Sequence, residues 1–274
     1  MNKRTQAIAA LAEGVSINAT CRMTGVAKHT VLKLLKDLGC VCAEYHNQVM
    51  RNLKVRRVQC DEIWAFVYAK QKNVTKEQMD KGAGDYWTWT AMPIQSSSSR
   101  MPLVIKEPAR LTLSMQDLAS RISFKVQLTT ERSQSLCRSG RPLWRRYRLC
   151  NAGKIYGAAS DSPESRYSQA TCIGCHMGVL SCDPDPNHIS TSYVERQNLS
   201  IRMGMRRFTR LTNGFSKKLE NHSHAVALYF MHYNFCRVHK TLRVTPAMEA
   251  GLANHVWTLE ELCNNGTQEA GLRS

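Results

Sequence analysis

The sequence contains no run of about 18 apolar residues, so no membrane-spanning helix is expected. It is short of acid: 21 Asp and Glu stand against 38 Lys and Arg in 274 residues, a formal net charge of +17. The shortage is uneven. Between Arg196 and Arg243 ten Lys or Arg meet one acid, Glu220, a net of +9. A field of that sign works against partners of like charge and suits a polyphosphate, because Lys and Arg neutralising phosphate is the main source of affinity for DNA. No export signal is expected either: "MNKRTQAIAALAEG" is too polar, and too helical in period, to be one. The 11 cysteines are odd in number and scattered, which points to reduced thiols in a cytoplasm and away from a disulfide framework. With 43% hydrophobic residues the chain can bury one large core and a small satellite domain.

Residues 3–38 read as three short helices. "RTQAIAALAEG" puts Ala7, Ile8 and Leu11 on one stripe and stops at Gly14. "SINATCRMTG" opens on a good N-cap, Ser16, and stops at Gly25. "VAKHTVLKLLKDLG" carries Val31, Leu32, Leu34, Leu35 and Leu38. Two helices joined by a tight Gly turn form a helix-turn-helix pattern, whose second helix reads base edges with its first residues, here Lys28, His29, Thr30 and Lys33. A helical cap or dimerisation bundle without DNA contact is the alternative.

Residues 57–91 predict two adjacent strands, "RRVQCDEIWAFVYAK" and "GDYWTWTAM", joined by a charged surface loop. Asp61 is the odd member, a carboxylate in an apolar strand, costly to bury unless paired or bound to metal. A salt bridge to Arg56 or Arg57 is the bland account of it. Further on, "NHISTSYVERQNLSIRMGMRRFTR" predicts a helix capped by Thr191 or Ser192, with Val194, Ile201, Met205 and Phe208 on one apolar face. Glu195 lies in its first turn, where the helix dipole favours a carboxylate. Arg196, Arg202, Arg206, Arg207 and Arg210 follow as DNA-binding candidates, with His239 and Lys240 downstream. A carboxylate leading a basic helix suits a metal site presented to a DNA backbone. His222, His224, His232 and His239 are too widely spaced for a compact metal site and read as core or surface. Cys172, Cys175, His176, Cys182 and His188 include a C-x-x-C pair but lack the second close pair of a zinc site.

At "CDEIW" (60–64), "STSYVERQNLSIRMGMRRFTRLTN" (190–213) and "YNFCRVHKTLRVTPAMEAGL" (233–252) the chain closely resembles transposases of the insertion-sequence-one family. The resemblance extends over 3–91, 115–122, 126–130 and 154–168, most of the chain. It implies a ribonuclease H-like fold, an Asp-Asp-Glu triad, Mg2+ (or Mn2+) and an N-terminal DNA-binding region. It implies no covalent protein–DNA intermediate. Asp61 falls at the first Asp and Glu195 at the Glu, and these two are the implied metal ligands. Glu131 stands where the family has its second Asp, in a pattern like T-T-D-G-H-K-A-Y. Some family members carry an N-terminal zinc finger; the first fifty residues here hold Cys21, Cys40 and Cys42 but no such ligand set.

Two stretches follow no helical or strand period, 92–114 and 131–153. From Glu131 to Cys150 there are six Arg, three Ser, three Leu and two Cys. Back-translated and read in the neighbouring frame, this second stretch can give D-G-H-K-A-Y and a helix-compatible run, recovering the frame at Lys154. The first can give D-A-D-S-K-L-I-I-S-Y-A-V-G, a sound third strand. Paired compensating frameshifts explain both stretches; a divergent loop or low-complexity insert is the alternative.

The expectation is therefore an α/β chain: a ribonuclease H-like mixed sheet flanked by helices over 57–252, with a small all-α helix-turn-helix domain over 1–45. A linker covers 46–56 and a tail 253–274. The expected function is a cytoplasmic DNA transposase that cleaves and joins strands at terminal inverted repeats and target DNA, as a homo-oligomer on DNA. Its chemistry is impaired in this copy by the altered stretches. A non-catalytic DNA-binding regulator or inhibitor is the competing function.

Overall fold

The structure is a computed structural model that describes residues 2–94, 101–105, 111–131, 147–157, 172–209 and 212–263, and the contacts below lie among these residues. Helix α1 (Lys3–Ala12) is capped by Asn2, whose side chain accepts from the Thr5 N–H. Helix α2 (Ile17–Thr24) is capped by Ser16 and ends at Gly25, which adopts the left-handed conformation that glycine reaches at least cost. Both ends follow the sequence reading. Helix α3 does not: it runs from Lys28 to Val49, straight through Gly39. A stripe of Val31, Leu35, Leu38, Cys42 and His46 is buried along it, so burial on one face outweighs the weak helix propensity of Gly39.

Strands β1 (Arg57–Val67) and β2 (Gly84–Ile94) pair antiparallel along their full length. The loop between them holds a short helix, α4 (Lys76–Asp80), closed by a reciprocal cap between Thr75 and Gln78. Strand β3 (Leu103–Ile105) lies on the far side of β2, and helix α5 (Leu111–Arg121) follows. Strand β4 (Val126–Thr130) runs parallel to β1, β5 (Tyr147–Tyr156) parallel to β4, and β6 (Cys172–Ser181) antiparallel to β5. The sheet order is β3-β2-β1-β4-β5-β6. The chain is thus mixed α/β, with a mixed sheet flanked by helices.

The two patternless stretches are less empty than the sequence suggests. Met92, Pro93 and Ile94 finish β2, and Leu103–Ile105 supply the third strand. Pro93 is tolerated because β3 pairs only with Trp89–Ala91, leaving that flank of β2 without a ladder for Pro93 to break. Tyr147–Gly153 begin β5, with Tyr147 and Leu149 buried and Arg148 exposed. The helix expected after Glu131 falls outside the described residues.

Period-two alternation divides the sheet into two faces. Gln59, Asp61, Ile63 and Ala65 of β1 share a face with Thr88, Thr90 and Met92 of β2. Helix α6 (Ser192–Gly204) packs over this face, across β1 and β2. It ends at Gly204, and Arg206–Phe208 form a separate 3-10 turn, so the basic residues do not continue on one helix. Its expected apolar face holds: Val194, Ile201, Met205 and Phe208 are all buried. On the other face Val58, Cys60, Trp89, Leu128 and Leu149 join Met115 and Leu118 of α5. Helix α7 (Leu219–Met231) passes into a π-turn, His232–Cys236, and a new short helix, α8, begins at Pro246. Residues 219–249 thus form two helices and not one.

The N-terminal helices share the sheet's core. Ile8, Leu35, Leu38 and Cys42 belong to one hydrophobic cluster with Val58, Leu128, Leu228 and Phe235, and α3 packs along α7. Residues 46–56 are packed structure and no linker. His46–Val49 are helical, Met50 is buried, and the Leu53 N–H donates to the Arg121 carbonyl at 2.9 Å. The buried Arg121 guanidinium donates to Asp117 at 3.0 Å and to Asn47 Oδ1 at 2.6 Å, tying α5 to the end of α3. Burial, with the Arg121 charge close by, pushes the His46 imidazole down to about 3 and keeps it neutral. The expected tail is also partly core: Trp257 packs on Tyr45 and Phe235 at 5.2 and 4.9 Å between ring centroids, and Leu262 is buried.

Candidate carboxylate site

Asp61 sits mid-strand on β1, on the face that α6 covers. Its neighbour Cys60 pairs with Thr130, the last residue of β4, so Glu131 emerges beside Asp61 at the same end of two parallel strands. Glu195 is in the first turn of α6. Helix α6 is laid on β1 by two side-chain clamps. The Gln59 Oε1 accepts from the N–H groups of Tyr193 (2.9 Å) and Val194 (3.1 Å), capping the helix start. Asn198 Nδ2 donates to Asp61 Oδ2 at 2.8 Å, while its Oδ1 lies 2.8 Å from the Thr90 hydroxyl. The two clamps match in spacing: two residues of strand rise about 6.6 Å, and four residues of helix rise about 6 Å. Glu195 lies between them, so its place relative to Asp61 is fixed.

Asp61 carries the electrostatic mark of this crowding. Burial first, and then the charges of Glu131 and Glu195, raise its carboxyl from 3.8 to about 6, against opposing hydrogen bonds from the Glu62 backbone and Asn198. Asp61 pairs with Asn198 instead of the Arg56 or Arg57 of the bland reading. Glu195 accepts from the Thr191 hydroxyl at 2.6 Å and is ion-paired with Lys154 of β5. Thr191 therefore serves Glu195 and makes no side-chain cap of the helix.

No protein-family model matches the chain, and no curated protein does.

Hard carboxylate oxygens are suitable donors for Mg2+, which takes one or two carboxylates and keeps water or phosphate oxygens for the rest of its shell. Asp61 and Glu195 fit that demand, and the Lys154 ammonium already balances Glu195 as a cation would. The three carboxylates do not close further: no group of three or more His, Cys, Asp or Glu stands at metal-holding distance among the described residues. That holds equally for the cysteine-rich stretch. Cys172, Cys175 and Cys182 are exposed, and His188 is bound to Asp185 at 2.6 Å.

The DNA-binding candidates divide. Lys28, His29 and Lys33 are exposed at the start of α3 and Thr30 is half-buried. Arg196, Arg206 and Lys240 are exposed, Arg202 is half-buried, and Arg210 lies outside the described residues. Arg207 departs from its expected role. Its guanidinium is turned inward, donates to Ser216 Oγ at 2.6 Å, and is pushed down to about 10 by burial. It braces the buried His222, which burial and the Arg207 charge hold at about 3. His239 also turns inward, with its ring edge-on to Tyr233 at 4.6 Å, and burial lowers its pKa. The sequence reading missed Gln59, Asn198 and Lys154, and gave Thr191 only as a helix cap. The i, i+2 spacing of Gln59 and Asp61 on one strand was the available signal.

Proposed function

We propose that this chain is a transposase by descent, built to bind DNA ends and to use a carboxylate-held divalent ion in cutting and joining strands. The observation that carries the reading is the convergence of negative charge on Asp61 from Glu131, which follows β4, and from Glu195, in the first turn of the helix laid over the same sheet face. The strand order, with β1–β3 antiparallel and β4 and β5 parallel to β1, is compatible with a ribonuclease H-like fold. Mg2+ or Mn2+, when bound, supplies positive charge to the attacking and leaving oxygens of an in-line phosphodiester displacement. Asp61 and Glu195 would hold it; Gln59 and Asn198 fix their separation; Lys154, ion-paired with Glu195, would supply a cation at the same site.

The direct test is cleavage of duplex DNA carrying inverted-repeat ends in Mg2+. Glu195→Gln should remove cleavage and leave DNA binding intact, since metal holding and phosphate steering are separate tasks. Exchanging 92–114 and 131–153 for their neighbouring-frame translations should raise the rate. Equal cleavage by the Gln variant removes Glu195 from the site. The regulator reading is favoured by one feature, the longer Glu131 side chain where the family has Asp. DNA binding with no cleavage, even by the exchanged chain, would establish it.

The exposed start of α3 supports a DNA-reading helix. Lys28→Glu with Lys33→Glu should weaken binding to DNA ends and lower the slope of log affinity against log salt by about two. An unchanged slope would remove α3 from the DNA interface.

A further inference from the structure

We propose that a cationic cleft on the carboxylate face holds the backbone of the same DNA strand that reaches Asp61, a proposal that rests on the reading of the chain as DNA-processing. The cleft has a volume of about 620 Å3 and is lined by Lys54, Arg56, Arg57, Lys125 and Arg148, with Phe124 at its rim, 60% exposed. None of the five cations forms an ion pair among the described residues. The one carboxylate that lines the cleft among the described residues, Asp185, is already engaged: it accepts from the Asn187 N–H at 3.0 Å and is bound to His188 at 2.6 Å. Five cations around one concavity repel each other, and a fold gains nothing from that repulsion. A polyanion removes it.

The register aligns the cleft with the carboxylates. Arg57, Gln127 and Arg148 form a row across β1, β4 and β5. Gln127 anchors the floor, its side-chain amide exchanging hydrogen bonds with the Asp185 backbone at 2.9 and 3.1 Å. Arg57 and Asp61 are both odd positions of one strand, so they share a face, about 13 Å apart. That is the axial rise of about four base pairs of duplex. A phosphate backbone lying over the strands thus meets the cations first and the carboxylates next. The exposed Phe124 ring offers a surface for a sugar or an unstacked base. A lone phosphate would not need five cations around one cleft, so the occupant is a strand of DNA and not a small anion.

The test uses the full chain and labelled duplex DNA in an anisotropy titration over a salt series. Arg56, Lys125 and Arg148 are exposed, so changing all three to Gln should leave melting at or above the parent's. The triple variant should bind at least tenfold more weakly, with the salt slope lowered by about two to three. An unchanged slope overturns the proposal. Tripolyphosphate displacing DNA from the parent at equal phosphate concentration also overturns it, because the cleft is then a small-anion pocket. So does loss of binding to anionic lipid vesicles with DNA binding kept. Failure of the function reading is told apart: Glu195→Gln then cleaves like the parent, while the slope difference of the triple variant persists. A parent that binds no duplex sinks both.

Discussion

Asp61→Asn is expected to make the metal-free chain more stable while ending divalent-ion-dependent cleavage. The argument is one of linkage. Burial, with Glu131 and Glu195 adding to it, holds the Asp61 carboxyl at about 6 in the fold against an ordinary 3.8. Below pH 3.8 the group is protonated in both states and costs nothing. Between 3.8 and about 6 the unfolded chain ionises first, and stability falls as pH rises; above about 6 the full cost is present. That cost is about 2–3 kcal/mol. Asn keeps an acceptor for Asn198 and carries no charge, so at about pH 7.5 the variant should melt about 5–10 °C above the parent, with the gap closing near pH 4. Adding Mg2+ should raise the melting temperature of the parent and leave the variant unmoved. A variant less stable than the parent at neutral pH would mean that Asp61 is an ordinary structural carboxylate. The expected opposition of stability and activity is what a site that crowds like charges produces.

Gly39→Ala is expected to destabilise, against the usual sign. In a solvent-exposed helix interior this change gains up to about 1 kcal/mol. Here the added methyl would stand 2.7 Å from His224 Cα and closer still to its Cβ, so the obstacle is the backbone of α7 and no rotamer change relieves it. The two helices must part along a seam that includes Leu35, Leu38 and Cys42. Overpacking of that kind costs about 1–3 kcal/mol, a melting decrease of about 2–10 °C. The Lys36–Glu220 ion pair at 2.9 Å bridges the same seam but is exposed, and such pairs contribute little. Calorimetric melting of the alanine variant decides the matter: a higher melting temperature would place Gly39 in open space.

The same residue shows how far the sequence could be read. Gly39 looks like a helix stop because glycine commonly ends helices. Its role as a close-contact point depends on His224, remote in sequence, and nothing local to Gly39 encodes it. The helix start at Ser16 was legible because capping is local chemistry, whereas α3 begins after Ala27 with no side-chain cap. Also legible were β1 and β2, where apolar runs are bounded by turn residues. Pro93 hid the end of β2, and the alternation of Tyr147, Arg148 and Leu149 was lost among the arginines before it. Asp61 stood out as a carboxylate in an apolar strand, and both it and Glu195 were picked out through a resemblance. Arg207 and His239 misled because an arginine in a basic segment reads as surface, and only the fold turns these two inward.

The continuity of α3 also has a mechanical meaning. Twenty-two helical residues make a rod about 33 Å long, close to one turn of duplex DNA. Its far end is fastened through Arg121 and Met50 into the body that carries the carboxylates. A recognition element on a slack tether would let the cut wander. On the reading of α3 as a DNA-reading helix, this rod is a ruler: whatever Lys28 grips is held at a fixed offset and helical phase from Asp61, and the point of cleavage is set by the length of a helix.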